Sequence, residues 1–180
     1  MERISNYIGI PIICKDTSKK AGEVKEILFS REEKEIKAFM VGISYSLTNR
    51  ILPYENISNI NNESIIIEDN SKLIVDRNKK FKTDFNEIEK LKNIEVYSLK
   101  GHKCGEVKDA FFDPTTGKIE AIEVSMGYID DIIRGRNIVP LFAKTEISEE
   151  LIILDNESLE EMMNTGGGII NIRKRNNKDK

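Results

Sequence analysis

The amino-acid sequence predicts a mainly β protein: two small β-barrels in tandem, a short helical linker between them and a disordered C-terminal tail. Three observations carry that expectation. The first is an internal repeat, in which Gly22-Glu23-Val24-Lys25 returns as Gly105-Glu106-Val107-Lys108. At the same offset of 83, without a gap, Phe29 matches Phe112, Ile36 matches Ile119 and Ala38 matches Ala121, giving seven identities in the seventeen positions from Gly22 to Ala38. The second is period-two patterning, read where Ile119, Ala121 and Val124, with Ile122 as an extra apolar residue between them, stand against Glu120 and Glu123, the signature of a strand with one face on a core. The third is the short, regular spacing of turn residues between apolar runs.

In the order of the chain, Ile12-Ile13 answers Glu95-Val96 ahead of a polar bend, and a glycine, Gly22 or Gly105, then opens the next strand. A glycine at a bend-to-strand junction marks positive φ or close backbone approach. A phosphate-cradling loop is a poor reading there, because it needs more glycines and a helix directly afterwards. Between the two strands of the second copy, Asp113-Pro114-Thr115-Thr116-Gly117-Lys118 sets Pro where a turn wants fixed φ and Gly where a left-handed residue closes a hairpin. The first copy has a loop of the same length, Ser30 to Glu35, without Pro or Gly. Ile51-Leu52-Pro53 then answers Ile138-Val139-Pro140, and Ile65-Ile66-Ile67 answers Leu151-Ile152-Ile153. Between Ala121 and Pro140 the second copy is four residues longer than the first, which places an inserted loop around Gly127 to Asn137.

These landmarks divide the chain into a first barrel over 1–77, a linker over 78–90, a second barrel over 91–157 and a short helix with a basic tail over 158–180. In the linker, Thr83-Asp84 can cap a short helix over Asn86 to Leu91, whose Phe81, Phe85, Ile88 and Leu91 stripe is expected to pack on the barrels. After the second barrel, Ser158 to Glu161 has capping-box form, with Gly166 as a stop.

The sequence of polar bend, G-E-V-K, apolar strand ending in Phe, D-P-x-T-G-K hairpin, strand with a central Ala and I-V-P-L strand resembles the PRC-barrel family. The likeness spans about residues 4–75 and 90–156, and is most specific in Gly105 to Lys108, Phe112 to Pro114 and Gly117-Lys118. PRC barrels occur in the photosynthetic reaction-centre H subunit, in the ribosome maturation factor and in stand-alone bacterial proteins, and this chain is most similar to a tandem two-domain stand-alone bacterial type. The resemblance implies binding rather than catalysis. It does not bring the H subunit's membrane-spanning helix or the maturation factor's RNA-facing barrel, neither of which is found in this sequence.

Function is therefore expected to be that of a non-enzymatic interaction or adaptor protein with an unknown protein partner. The alternative is a ribosome- or RNA-associated factor acting through a barrel and the basic tail. The candidate contact residues are Tyr128, Ile129, Ile132, Ile133, Arg134 and Arg136 in the inserted loop, and Arg173, Lys174 and Arg175 in the tail. Exposed apolar side chains flanked by charge are where partners dock; the competing expectation is that the three isoleucines fold down over an open barrel end.

No catalytic group, cofactor site or metal site is expected. His102 is the sole histidine and sits in a polar bend, and Asp130-Asp131 falls far short of the oxygen set calcium needs. Cys14 and Cys104 stand apart and read as reduced, partly buried thiols. The 31 acidic and 28 basic residues are mixed along the chain to a net charge of -3, so no whole-protein field draws it to nucleic acid or anionic lipid. With no signal-like or membrane-length apolar run, a cytoplasmic location is expected.

Overall fold

The computed structural model describes residues 1–43, 50–76 and 80–164. The expectation of a disordered tail therefore lies outside the described residues beyond Asn164. In chain order the strands are β1 (Glu2–Arg3), β2 (Pro11–Cys14), β3 (Lys19–Ser30), β4 (Glu35–Gly42), β5 (Arg50–Pro53), β6 (Asn59–Ile60), β7 (Ile65–Ile67) and β8 (Asn86–Glu87). They continue with β9 (Glu95–Ser98), β10 (Lys103–Phe112), β11 (Ile119–Ser125), β12 (Asn137–Pro140), β13 (Glu146–Ile147), β14 (Leu151–Leu154) and β15 (Met163–Asn164). Among the described residues three short helices, α1 (Lys80–Asp84), α2 (Tyr128–Arg134) and α3 (Asn156–Glu160), complete the set with four 3-10 turns.

Two sheets carry the duplication. The first runs β5-β4-β3-β2-β7-β6, and the second contains the equivalent path β12-β11-β10-β9-β14-β13. In each, one parallel pair interrupts the antiparallel order: Ile12 opposite Ile65, and Val96 opposite Ile152. Even the irregularities repeat. The β2–β3 register slips between Lys20 and Gly22, and the β9–β10 register slips between Lys103 and Gly105, the same repeat positions. Such bulges bend a strand and increase its twist, which curls a sheet toward a half-barrel. The β3–β4 ladder has two more, one on β3 between Val24 and Glu26 and one on β4 between Ile36 and Ala38, opposite Leu28 and Phe29.

The repeated glycines have one physical cause. A Cβ on Gly22 would lie 2.5 Å from Val41 Cγ1 and 2.7 Å from the Gly42 carbonyl oxygen. On Gly105 it would lie 2.7 Å from Val124 Cγ1 and 2.3 Å from the Ser125 carbonyl oxygen, the residues equivalent to Val41 and Gly42. Both strands cross too closely there for any side chain, and Gly105 also has φ +136.

By contacts the chain forms two compact units, one of Met1–Lys90 with Phe112–Ile119, the other of Leu91–Phe111 with Glu120–Lys180. The first unit is thus completed by the hairpin tip of the second copy, a feature the repeat alone does not announce. Its core holds Tyr7, Ile12, Phe29, Phe39, Leu52 and Phe112, all fully buried. The Tyr7 and Phe112 rings meet edge to face with centroids 4.8 Å apart. At the tip, Gly117 takes φ +79, its N–H donates to the Asp113 carbonyl (2.8 Å), and the Asp113 carboxylate accepts from the Thr115 N–H (2.9 Å). The tip is then held by two backbone bonds of 2.8 Å, Ile36 N–H to the Gly117 carbonyl and Ile119 N–H to the Lys34 carbonyl. Because Ile36 and Ile119 are equivalent, as are Lys34 and Gly117, this is one bond made twice. The Tyr54 hydroxyl adds a bond to the Pro114 carbonyl (2.9 Å).

The linker helix forms earlier than the sequence suggests. Helix α1 ends at Asp84, Asn86 and Glu87 form β8 against β3, and Ile88–Leu91 make one 3-10 turn in place of the helix expected over Asn86 to Leu91. Pairing with β3 satisfies backbone groups that a helix would have satisfied internally. The aromatic residues do pack as expected: Phe81 and Phe85 lie on Leu28, Ala38, Met40 and Ile51.

The second unit encloses Val96, Val107, Ala121, Ile122, Val124, Val139 and Ile152. Helix α3 is capped by Asp155, whose carboxylate accepts the Ser158 N–H (2.7 Å), rather than by Ser158 as its capping-box pattern suggests. Ser158 is fully buried, its hydroxyl 3.0 Å from that of Thr145.

Candidate interaction surface

The four extra residues of the second copy do not make an irregular loop. They form α2, entered through Gly127 at φ +126 and left through Gly135 at φ +82, whose N–H donates to the Asp131 carbonyl (2.9 Å). Two glycines able to take positive φ let the chain turn sharply into and out of a helix of seven residues. So short a helix has little intrinsic stability and must be fixed by its surroundings.

The fixing is done by charge. The Ser125 hydroxyl donates to Asp131 Oδ2 (2.8 Å) and itself accepts the Gly127 N–H (3.1 Å), tying the helix to the end of β11. Arg136 donates through Nε to Asp131 Oδ2 (3.1 Å) and through Nη1 to Glu123 Oε2 (2.9 Å). Glu123, expected on the solvent side of its strand, is only 4% exposed. The alternation in β11 marks one core face, but nearly the whole strand is covered, and Arg136 supplies the counter-charge that makes a buried carboxylate tolerable. The second oxygen of Asp131, Oδ1, is buried with no hydrogen-bond partner among the described residues. Asp131 also lines an open cleft of about 400 Å³, together with Lys103, Glu106, Met126, Tyr128 and Arg136.

With its polar side engaged, α2 leaves its apolar side uncovered. Tyr128 is 83% exposed, Ile129 72%, Ile132 43% and Ile133 36%, beside Met126 at 53%. Positions 128, 129, 132 and 133 are spaced by one and four, so they share one helix face. The alternative in which the isoleucines cover a barrel end is not what the structure adopts. Of the residues singled out in the sequence, Tyr128, Ile129, Ile132, Ile133 and Arg136 thus gather at one place. The Arg134 side chain and Arg173, Lys174 and Arg175 lie outside the described residues. The Glu123–Arg136–Asp131–Ser125 network was not legible in the sequence, since no spacing rule links a strand carboxylate to an arginine thirteen residues on.

Reactive chemistry is sparse. The Cys14 thiol donates to Asn70 Oδ1 (3.3 Å), and burial, with Asp16 and Asp69 nearby, raises its pKa. Burial also raises the Cys104 thiol, so neither is an activated nucleophile. His102 sits in the β9–β10 bend, its N–H donating to the Ser98 hydroxyl (3.1 Å). Among the described residues no group of three or more His, Cys, Asp or Glu side chains is placed to hold a metal ion, and no helix is long and apolar enough to cross a membrane.

The curled sheets with a common strand order, and a site made by an insertion in one of them, define a mainly β protein of two barrel modules. The PRC-barrel domain family matches residues 1–77 and again 83–156. The chain belongs to that family, as a tandem two-domain member. No curated protein matches the chain.

Proposed function

We propose that the protein is a non-enzymatic adaptor that docks a protein partner on the apolar face of α2. The observation that carries this reading is the exposure of Tyr128 and Ile129, 83% and 72%, on a helix whose other side is pinned by a buried ion-pair network. A large apolar face held rigidly in water supplies contact area at little ordering cost, which is what a binding hot spot requires.

The test is affinity capture from source cells with the full chain and with Tyr128→Ser/Ile129→Asp as bait. The partner is expected to disappear from the variant while the circular dichroism of the two baits stays alike. Recovery of the same partner by both would overturn the assignment. The Arg173 to Lys180 run favours a second reading, association with ribosomes or RNA. That reading expects co-sedimentation with ribosomes that weakens steeply with salt as counterions are released.

A further inference from the structure

We propose a second contact site, on the first unit: a cleft beside α1 that takes one lysine or arginine side chain of a protein partner. The aliphatic stem lies on the Phe81 and Phe85 rings, and the cation is met by the Glu55 and Asp84 carboxylates. Every residue of this site belongs to the first unit, so it is independent of the reading of α2.

The first argument is shape. The Phe81 N–H donates to Asp76 Oδ2 (3.1 Å) and the Phe85 N–H to the Phe81 carbonyl (2.9 Å), which fixes the backbone at both rings. Four positions apart, the rings share one side of the turn, with centroids 5.9 Å apart and planes inclined by 47°. Both rest on Leu28, Ala38, Met40 and Ile51, yet both are only partly buried. With Pro53, Lys37, Glu55 and Asp84 they also line a cleft of about 260 Å³. Sites for drug-sized ligands run from roughly 300 to 1,000 Å³, so this one is scaled to a single side chain rather than to a free metabolite. Rings already seated on a core cost little to order when a ligand arrives.

The second argument is charge. Lys37 is the one cation lining the cleft among the described residues, and it is already engaged by Glu33 and by Glu35 (3.2 Å). Glu55 and Asp84 are exposed and have no ion pair or side-chain hydrogen bond among the described residues. The cleft therefore presents uncompensated negative charge next to aromatic faces, and such faces attract a cation held within about 6 Å of the ring centroid. An anionic side chain would be repelled, and a neutral apolar one would gain ring contact alone. Lysine and arginine satisfy both parts at once, since they lay their methylenes on apolar surface and keep the charged head at its edge.

The experiment titrates the isotope-labelled full chain with blocked Gly-Lys-Gly and Gly-Arg-Gly peptides and follows the backbone amides by NMR. Saturable shifts are expected at residues 54, 55 and 81–85. Affinity is expected to fall roughly fivefold for a Gly-norleucine-Gly peptide, which keeps the stem without the charge, and by a similar factor in Glu55→Gln/Asp84→Asn. Both carboxylates are exposed, so that variant should keep the fold, and unshifted amides elsewhere check it. Phe85→Leu keeps an apolar side chain but removes a ring face, and is expected to weaken binding roughly threefold. Equal affinity for the lysine and norleucine peptides overturns the proposal, because the cleft is then merely apolar. So does unchanged affinity in Glu55→Gln/Asp84→Asn, or no saturation by either basic peptide. Spermidine binding roughly tenfold more tightly than both peptides would assign the cleft to a free polyamine and overturn the choice of a protein side chain. None of these outcomes touches α2, whose role is read separately from capture by Tyr128→Ser/Ile129→Asp.

Discussion

Tyr7 shows how a single side chain can work against its own fold. Its ring packs on Phe112 and is 0% exposed, yet its hydroxyl has no hydrogen-bond partner among the described residues. A buried, unpaired hydroxyl costs free energy, so Tyr7→Phe is expected to stabilise the protein by about 1 kcal/mol in urea titrations. Burial, helped by Glu2, also pushes the phenol up to about 12 from its ordinary 10.0. A folded-state pKa above the unfolded one means that the contribution is fully present below pH 10 and is lost as pH rises toward 12. The wild type should therefore lose stability over that window, and Tyr7→Phe should flatten part of the decline. A variant that tracks the wild type at every pH would show that the hydroxyl is solvated. Lys34 is a second strained residue. It sits at φ +51 where the second copy has Gly117, a cost L side chains bear and glycine does not. Lys34→Gly is expected to gain about 0.5 kcal/mol after the added freedom of the unfolded chain is deducted. A loss instead would show that the lysine side chain's own contacts outweigh the backbone strain.

At the scale of elements, what could be read from the sequence depended on whether the cause was local. The Asp113 to Lys118 hairpin was legible because Pro114 and Gly117 impose their own dihedrals, and the structure uses Gly117 at positive φ as expected. The positions of Gly22 and Gly105 were legible for the same reason, although the close crossing with β4 and β11 is the cause at both and positive φ at only one. Helix α2 was not legible as a helix. Its stability comes from Arg136, Asp131 and Ser125, contacts that appear only after β11 and β12 are paired. Likewise β8 is called into strand form by β3, against a local pattern that suggests helix. The network makes a prediction of its own. Arg136→Ala leaves the Glu123 carboxylate buried without its guanidinium, and because Arg136 is half-exposed the loss is expected to be about 1 to 3 kcal/mol. Chemical denaturation should report it, together with faster amide exchange across residues 128–134. Unchanged stability would mean that water already screens the pair.

Across the molecule, the duplication was plain from seven matched residues, and the strand order of the two sheets repeats it. The sequence could not tell where the second copy's hairpin tip would go, because Phe112 and Ile119 look like core residues of any barrel. They are 0% and 3% exposed, and they belong to the first unit. A fragment of residues 1–90 is therefore expected to lack a cooperative urea transition, and a peptide of residues 108–123 added in trans should restore one. Full cooperativity in the fragment alone would show that the tip is dispensable.

That borrowed tip also bears on synthesis. A chain emerges from the ribosome N-terminus first, and modules usually close in that order. Here the first unit has to wait for residues 112–119 to leave the exit tunnel before Tyr7 can meet Phe112 and Ile36 can find Gly117. The nascent protein passes through an interval in which its leading half is complete in length but open at one edge, and shielding that edge until the later residues arrive is work for whatever meets the chain at the tunnel mouth.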